Sequence, residues 1–172
     1  PNSIRMASVM PGAVMTARAG RYNGTGAKLA TAGGYGVGAV YNLAIDPGGG
    51  FYCVDISNYD GISFWAKAGK AGSIISINFV LPETNKKSMD PQGRPNGGDC
   101  EQLCYIHPQK NVQLTTEWAQ YTVRFDQALG GAAEVRDRIQ QIAILSPEVD
   151  WDFTIDEIAF YKGTPPPGKV GQ

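Results

Sequence analysis

Between residues 61 and 80 the chain alternates with a period of two. Ile62, Phe64 and Ala66 take turns with Ser63, Trp65 and Lys67, and then Ile75, Ile77 and Phe79 take turns with Ser76 and Asn78. Side chains point to opposite faces of a strand in turn, so this pattern belongs to strands buried on one side and excludes a helix with an apolar stripe. Two such strands cannot bury their apolar faces alone and need a packed partner sheet.

The rest of the chain supports the same class. Among 172 residues there are 22 Gly and 11 Pro, with many Thr, Val, Ile, Tyr and Phe and a formal net charge of -1. That mixture favours short strands joined by tight turns. Strand candidates run over residues 4–10, 14–18, 37–45, 120–125, with Tyr121, Val123 and Phe125 inward, 139–145 and 153–161. The helix candidate is short, near residues 132–137, and the flanking Gly130 and Gly131 weaken it. The expectation is an all-β protein of about eight to ten strands in two packed sheets, with one domain over residues 1–162. A Pro/Gly-rich tail follows over 163–172, read as a linker or terminal extension.

Several function classes drop out. No run approaches the roughly 20 apolar residues of a membrane-spanning helix. Arg5, Arg18, Arg21 and Lys28 precede the first acid, Asp46, but four scattered cations do not form a nucleic-acid patch. The glycines around Gly34, Gly36 and Gly38 have the texture of a phosphate loop, yet strand-like sequence follows where such a loop needs a helix. His107 is the sole histidine and no Gly-x-Ser-x-Gly occurs, which removes the usual nucleophile and base pairing. Asp150, Asp152, Asp156 and Glu157 offer paired carboxylates of the glycosidase kind, but neighbouring acids on a surface strand are ordinarily just solvated. The chain is read as a non-enzyme.

Residues 82–108 are rich in Pro, Gly, Asn and Asp and form a long excursion, a type of segment that often carries function. Cys100 and Cys104 fall within it, spaced to pin a loop by a disulfide. Zinc on Cys100, Cys104 and His107 is the rival reading, one ligand short of a tetrahedral site. Cys53 is left over. The cysteines, with a chain that begins at Pro1 as a secreted protein does after loss of a leader, point to a secreted, extracellular or cell-surface location.

Three runs carry a family resemblance: residues 54–67 (VDISNYDGISFWAK), 114–125 (LTTEWAQYTVRF) and 153–161 (FTIDEIAFY). In order and spacing they resemble the framework of galactose-binding-like jelly rolls. In particular they are similar to the carbohydrate-binding modules of bacterial glycanases, the β-glucan binders of family 11 and relatives, over about residues 33–161. The resemblance implies a jelly-roll β-sandwich with no chemistry of its own that holds polysaccharide on a sheet face. In such modules aromatic rings stack on sugars, and amides, guanidinium groups and carboxylates meet the hydroxyls. The outward candidates are Trp65, Lys67, Asn78, Arg124 and Gln141, which line one surface if their strands share a sheet. Tyr105 and His107 stand where related modules carry a polar and aromatic loop motif. The family also commonly holds a structural calcium, for which Asp156 takes the place of the carboxylate on the last strand. No acid precedes Asp46, so the remainder of the roughly six to eight oxygen ligands would come from elsewhere, and no other cofactor is required.

A reading from another class stays open: an extracellular structural subunit whose N-terminal strand adds to a neighbour's sheet edge and builds a homo-polymer.

Overall fold

The computed structural model describes residues 5–10, 19–24, 37–44, 52–89, 91–93, 97–128, 136–148 and 150–170. Their strands are β1 (Arg5–Met10), β2 (Ala19–Gly24), β3 (Val37–Asn42), β4 (Gly61–Ala68), β5 (Ile74–Val80), β6 (Gln109–Gln113), β7 (Ala119–Arg124), β8 (Gln141–Ser146), β9 (Trp151–Tyr161) and β10 (Lys169–Val170). The helical parts are a 3-10 turn at Pro82–Thr84 and one α-helical turn, α1, at Phe125–Ala128. No helix among the described residues is long and apolar enough to cross a membrane.

The strands form a six-stranded sheet in the order β1-β2-β9-β4-β7-β10 and a four-stranded sheet in the order β3-β8-β5-β6. All pairings are antiparallel except β7 with β10. From β2 to β5, and again from β6 to β9, each connection carries the chain from one sheet to the other. That alternation is the jelly-roll way of closing a two-sheet sandwich.

The inner faces follow the sequence pattern. Ile62, Phe64 and Ala66 of β4 meet Ile75, Ile77 and Phe79 of β5 in one core, completed by Tyr121, Val123, Ile142, Ile144, Phe153 and Ile155. Phe64 stacks on Tyr121 at 5.8 Å, and Phe79 meets Phe125 edge-on at 5.4 Å. Offset and edge-to-face contacts of this kind add to the area they bury. Glycine is required at Gly61, where a Cβ would stand 2.5 Å from the Val123 carbonyl oxygen and 2.6 Å from Tyr161 Oη. In β9 the pairing with β4 shifts register between Ser63 and Trp65, and Glu157 adopts φ 52, the mark of a β-bulge.

Three expectations change. Phe125 is inward and buried as expected, but it opens α1 and does not end the strand. Gln109–Gln113, which the sequence reading passed over, is the edge strand β6. The Pro-rich tail returns to the sandwich, where Lys169 and Val170 pair with Tyr121 and Thr122 of β7. The strand expected at 14–18 lies outside the described residues, as do positions 132–135 of the expected helix; Arg136 and Asp137 form a turn.

Candidate functional site

The register assigns the outward side chains to two opposite surfaces. On the four-stranded sheet, β3 contributes Gly38, Val40 and Asn42, and β8 contributes Gln141, Ala143 and Leu145. Across from them β5 contributes Ile74, Ser76, Asn78 and Val80, and β6 contributes Gln109, Asn111 and Gln113. None of these positions is charged. Six are amides, a chemistry in which every group both donates and accepts, as a sugar hydroxyl does.

The face is also shaped. At the middle of the central strands β8 and β5 the outward residues Ser76, Asn78 and Ala143 are small and buried, at 7%, 5% and 5% exposure, flanked along those strands by Ile74, Val80, Gln141 and Leu145. On the edge strands Val40, Asn42, Gln109, Asn111 and Gln113 are exposed. Small buried residues at the middle and these exposed ones along the two edge strands give the face a shallow trough across β3-β8-β5-β6. Its polar groups hold one another in place: Asn78 Nδ2 donates to Ser76 O at 3.0 Å, to Ser76 Oγ at 3.2 Å and to Ala143 O at 3.4 Å. Ser76 Oγ donates to Gln109 Oε1 at 3.0 Å, and Gln141 Nε2 donates to Asn42 Oδ1 at 2.8 Å.

The excursion between β5 and β6 stands at one end of this trough. Cys100 and Cys104 are joined, with Cα atoms 5.5 Å apart, which leaves no thiolate pair for zinc; Cys53 is a free, exposed thiol. Buried Gln140 ties the loop to the start of β8, accepting from Asn85 Nδ2 at 3.1 Å and donating to Gly97 O at 3.2 Å. The Tyr105 amide donates to Thr84 O at 2.6 Å, and His107 Nδ1 lies 2.7 Å from Thr84 Oγ1. Burial holds the His107 pKa below its usual value. This anchoring presents Tyr105 partly exposed, beside the exposed Leu103 and Ile106. Tyr52, 54% exposed, stands just beyond β3, where its amide donates to Ala44 O.

The other three sequence candidates lie on the far side of the sandwich. Trp65 is half-buried on the outer face of the six-stranded sheet, opposite Gln120 on β7 and Asp156 on β9. Lys67 Nζ sits 5.1 Å from the centre of the Trp118 ring. Arg124 is bound by Asp126 through two hydrogen bonds, of 3.1 and 2.6 Å. The single surface expected for Trp65, Lys67, Asn78, Arg124 and Gln141 is therefore corrected: the chain crosses between sheets after Ala68, so β4 and β7 share one sheet while β5 and β8 share the other.

The carboxylates do not gather. Asp152 is committed to Arg21, which donates to it at 2.8 and 2.6 Å and has its own pKa raised by that contact. Asp156 Oδ1 accepts the Glu157 amide at 2.9 Å. Among the described residues no three His, Cys, Asp or Glu side chains come together as metal ligands.

No protein-family model matches the sequence, and no curated protein aligns with it. Solved structures do match. One is the family 11 carbohydrate-binding module from Clostridium thermocellum in complex with a β-1,3-1,4-mixed-linked tetrasaccharide, at TM-score 0.54 and 17% identity over 90% of this chain and 81% of that one. The two share one fold. The family 11 module of a cellulosomal cellulase of the same organism matches at TM-score 0.53 and 17% identity, over 91% of this chain and 80% of that one. An exo-β-agarase matches at TM-score 0.52 and 10% identity, over 96% of this chain and 22% of its own. Likeness at identities this low shows the jelly-roll fold alone, and residue chemistry has to supply the rest.

Of the residues on this face the sequence reading had named Asn78 and Gln141 as candidates, and it had not named Asn42, Ser76, Gln109, Asn111, Gln113 or the neighbouring Tyr52. The alternation of Gln109, Asn111 and Gln113 was available as a signal. It went unread because Val112 is the one apolar residue in β6, and an edge strand with so little to bury has a weak period-two pattern.

Proposed function

We propose that the protein is a non-catalytic module that binds a neutral polysaccharide of the β-glucan type along the outer face of β3-β8-β5-β6. The observation that carries this reading is the uncharged trough of amides. Neutral glycans offer hydroxyls that donate and accept, together with apolar ring faces, and the trough supplies Asn42, Asn78, Gln109, Asn111, Gln113 and Gln141 for the former. For the latter it has Val40 and Leu145 within and Tyr52 and Tyr105 at its end. The shared module fold supports the same reading, and the Cys100–Cys104 disulfide accords with an oxidising, extracellular setting. The filament alternative gains no support, because β1 is seated on β2 of its own chain.

The test is affinity electrophoresis through gels containing soluble mixed-linked β-glucan. Retardation is expected for the native chain and is expected to be lost when Gln109 and Asn111 are both replaced by Ala. An unretarded native chain, or an unaffected double variant, would overturn the assignment.

A further inference from the structure

On the outer face of the six-stranded sheet, away from the amide trough, three neighbouring strands set their side chains in a row. Arg21 of β2 lies opposite Thr154 of β9, and Thr154 lies opposite Lys67 of β4. Directly opposed residues point to the same face with Cβ atoms about 5 Å apart, so a hydroxyl stands between two cations. A small pocket of about 160 Å³ opens over this row, and Asp152, Gly69 and Thr116 complete its lining.

The groups in the row are held in place but not used up. Asp152 accepts from Nε and Nη2 of Arg21, at 2.8 and 2.6 Å. That pairing fixes the guanidinium plane and leaves Nη1 without a partner among the described residues. Lys67 has no carboxylate partner among the described residues. Its ammonium sits 5.1 Å from the centre of the Trp118 ring, a contact that leaves N–H groups free to donate to an oxygen. Thr154 is 3% exposed, and its hydroxyl makes no hydrogen bond to another described residue. Buried hydroxyls are nearly always paired, so one that lines a pocket without a partner calls for a ligand atom to complete it.

Three donors therefore converge with no acceptor of their own to spare. Arg21 and Lys67 against Asp152 leave the lining with one positive charge in excess. The volume is well below the roughly 300 Å³ at which small-molecule sites begin, which excludes a ring and admits a group of a few atoms. A carboxylate meets each condition: it accepts only, is planar like the guanidinium it faces, and carries one negative charge. A phosphate monoester, at about -1.5 to -2, exceeds the charge on offer.

We propose that this pocket takes a single carboxylate, as a small free anion or as the acidic side chain of another chain. One carboxylate oxygen accepts from Lys67 Nζ and Thr154 Oγ1, and the other accepts from Arg21 Nη1. The inference does not rest on the polysaccharide reading, because the two surfaces share no residue.

The experiment is an amide NMR titration of the full chain at neutral pH and constant ionic strength, with acetate, a glutamate residue blocked at both ends, and inorganic phosphate. A saturable perturbation centred on Arg21, Lys67, Gly69 and Thr154 is expected with acetate, and a weaker one with phosphate. Lys67→Gln should weaken acetate binding by about tenfold or more, the loss of a hydrogen bond to a charged group, and Thr154→Val by about fivefold. Lys70→Gln, an exposed neighbour outside the pocket, should leave it unchanged, and all three variants should keep the native retardation by β-glucan. Tighter binding of the blocked glutamate than of acetate would assign the site to an acidic side chain, and equal binding would assign it to the free anion. No saturable perturbation there with acetate, tighter binding of phosphate, undiminished binding in Lys67→Gln, or an equal loss in Lys70→Gln would overturn the proposal.

Discussion

Ile77 is fully buried on the inner side of β5 and Asn78 is nearly so on the outer side, one position apart. The two show how the sandwich divides structure from function at single residues. Ile77 lies across from Ile144 within the core, so Ile77→Ala should cost about 2–5 kcal/mol, from lost transfer energy and the cavity left behind. Urea denaturation would read this as a lower midpoint with an unchanged slope. Asn78→Ala removes an amide that bonds Ser76 and Ala143, and should cost about 1–2 kcal/mol while weakening polysaccharide binding. Equal retardation in β-glucan gels before and after Asn78→Ala would remove Asn78 from the site. At this scale the sequence was most informative: period-two alternation told inner from outer at Ile62, Phe64, Ile75, Ile77 and Phe79. It also marked Trp65, Lys67, Asn78, Arg124 and Gln141 as outward. It carried no information on which sheet each would join, because strand pairing depends on crossovers between residues far apart in sequence, and a single strand's pattern is the same in either sheet.

Among elements, the excursion from Pro82 to Pro108 is the least regular and the most dependent on specific contacts. Its cysteine spacing and composition were legible as a pinned loop. The clasp by Gln140 and the Thr84–His107 contact were not, since both join residues with no shared local pattern. The disulfide closes a short ring, and its reduction should cost at most about 2 kcal/mol by the loop-entropy relation. Melting curves with and without a reducing agent would check this. His107 adds a pH term. Burial holds its folded pKa below the unfolded value, so the unfolded chain binds the extra proton first as pH falls. The stability contributed by neutral His107 is intact above about pH 6.5 and is lost progressively as pH falls toward the folded pKa. A His107→Gln variant should therefore lose less melting temperature than the native chain between about pH 7 and pH 5. An identical pH profile in the variant would show that His107 is not the group responsible.

For the whole molecule, the runs at 54–67, 114–125 and 153–161 place β4, β7 and β9, and these lie side by side in the six-stranded sheet. The framework legible in the sequence is thus one wall of the sandwich. The proposed binding surface is the outer face of the other wall, where the strands β3, β8, β5 and β6 come from dispersed segments, two of them at the sheet edge. This explains why the fold could be read more fully than the proposed site: the most prominent outward aromatic, Trp65, lies on the six-stranded sheet, away from the proposed surface. The most direct measurement of the central claim is β-glucan affinity in parallel for the native chain, the Gln109→Ala/Asn111→Ala double variant and Trp65→Ala. The account expects the double variant to lose at least about tenfold in affinity, two hydrogen-bonding side chains being removed, with only a small drop in melting temperature from the lost Ser76–Gln109 hydrogen bond, while Trp65→Ala binds as the native chain does. Affinity abolished by Trp65→Ala and kept by the double variant would place the binding surface on the six-stranded sheet and contradict it.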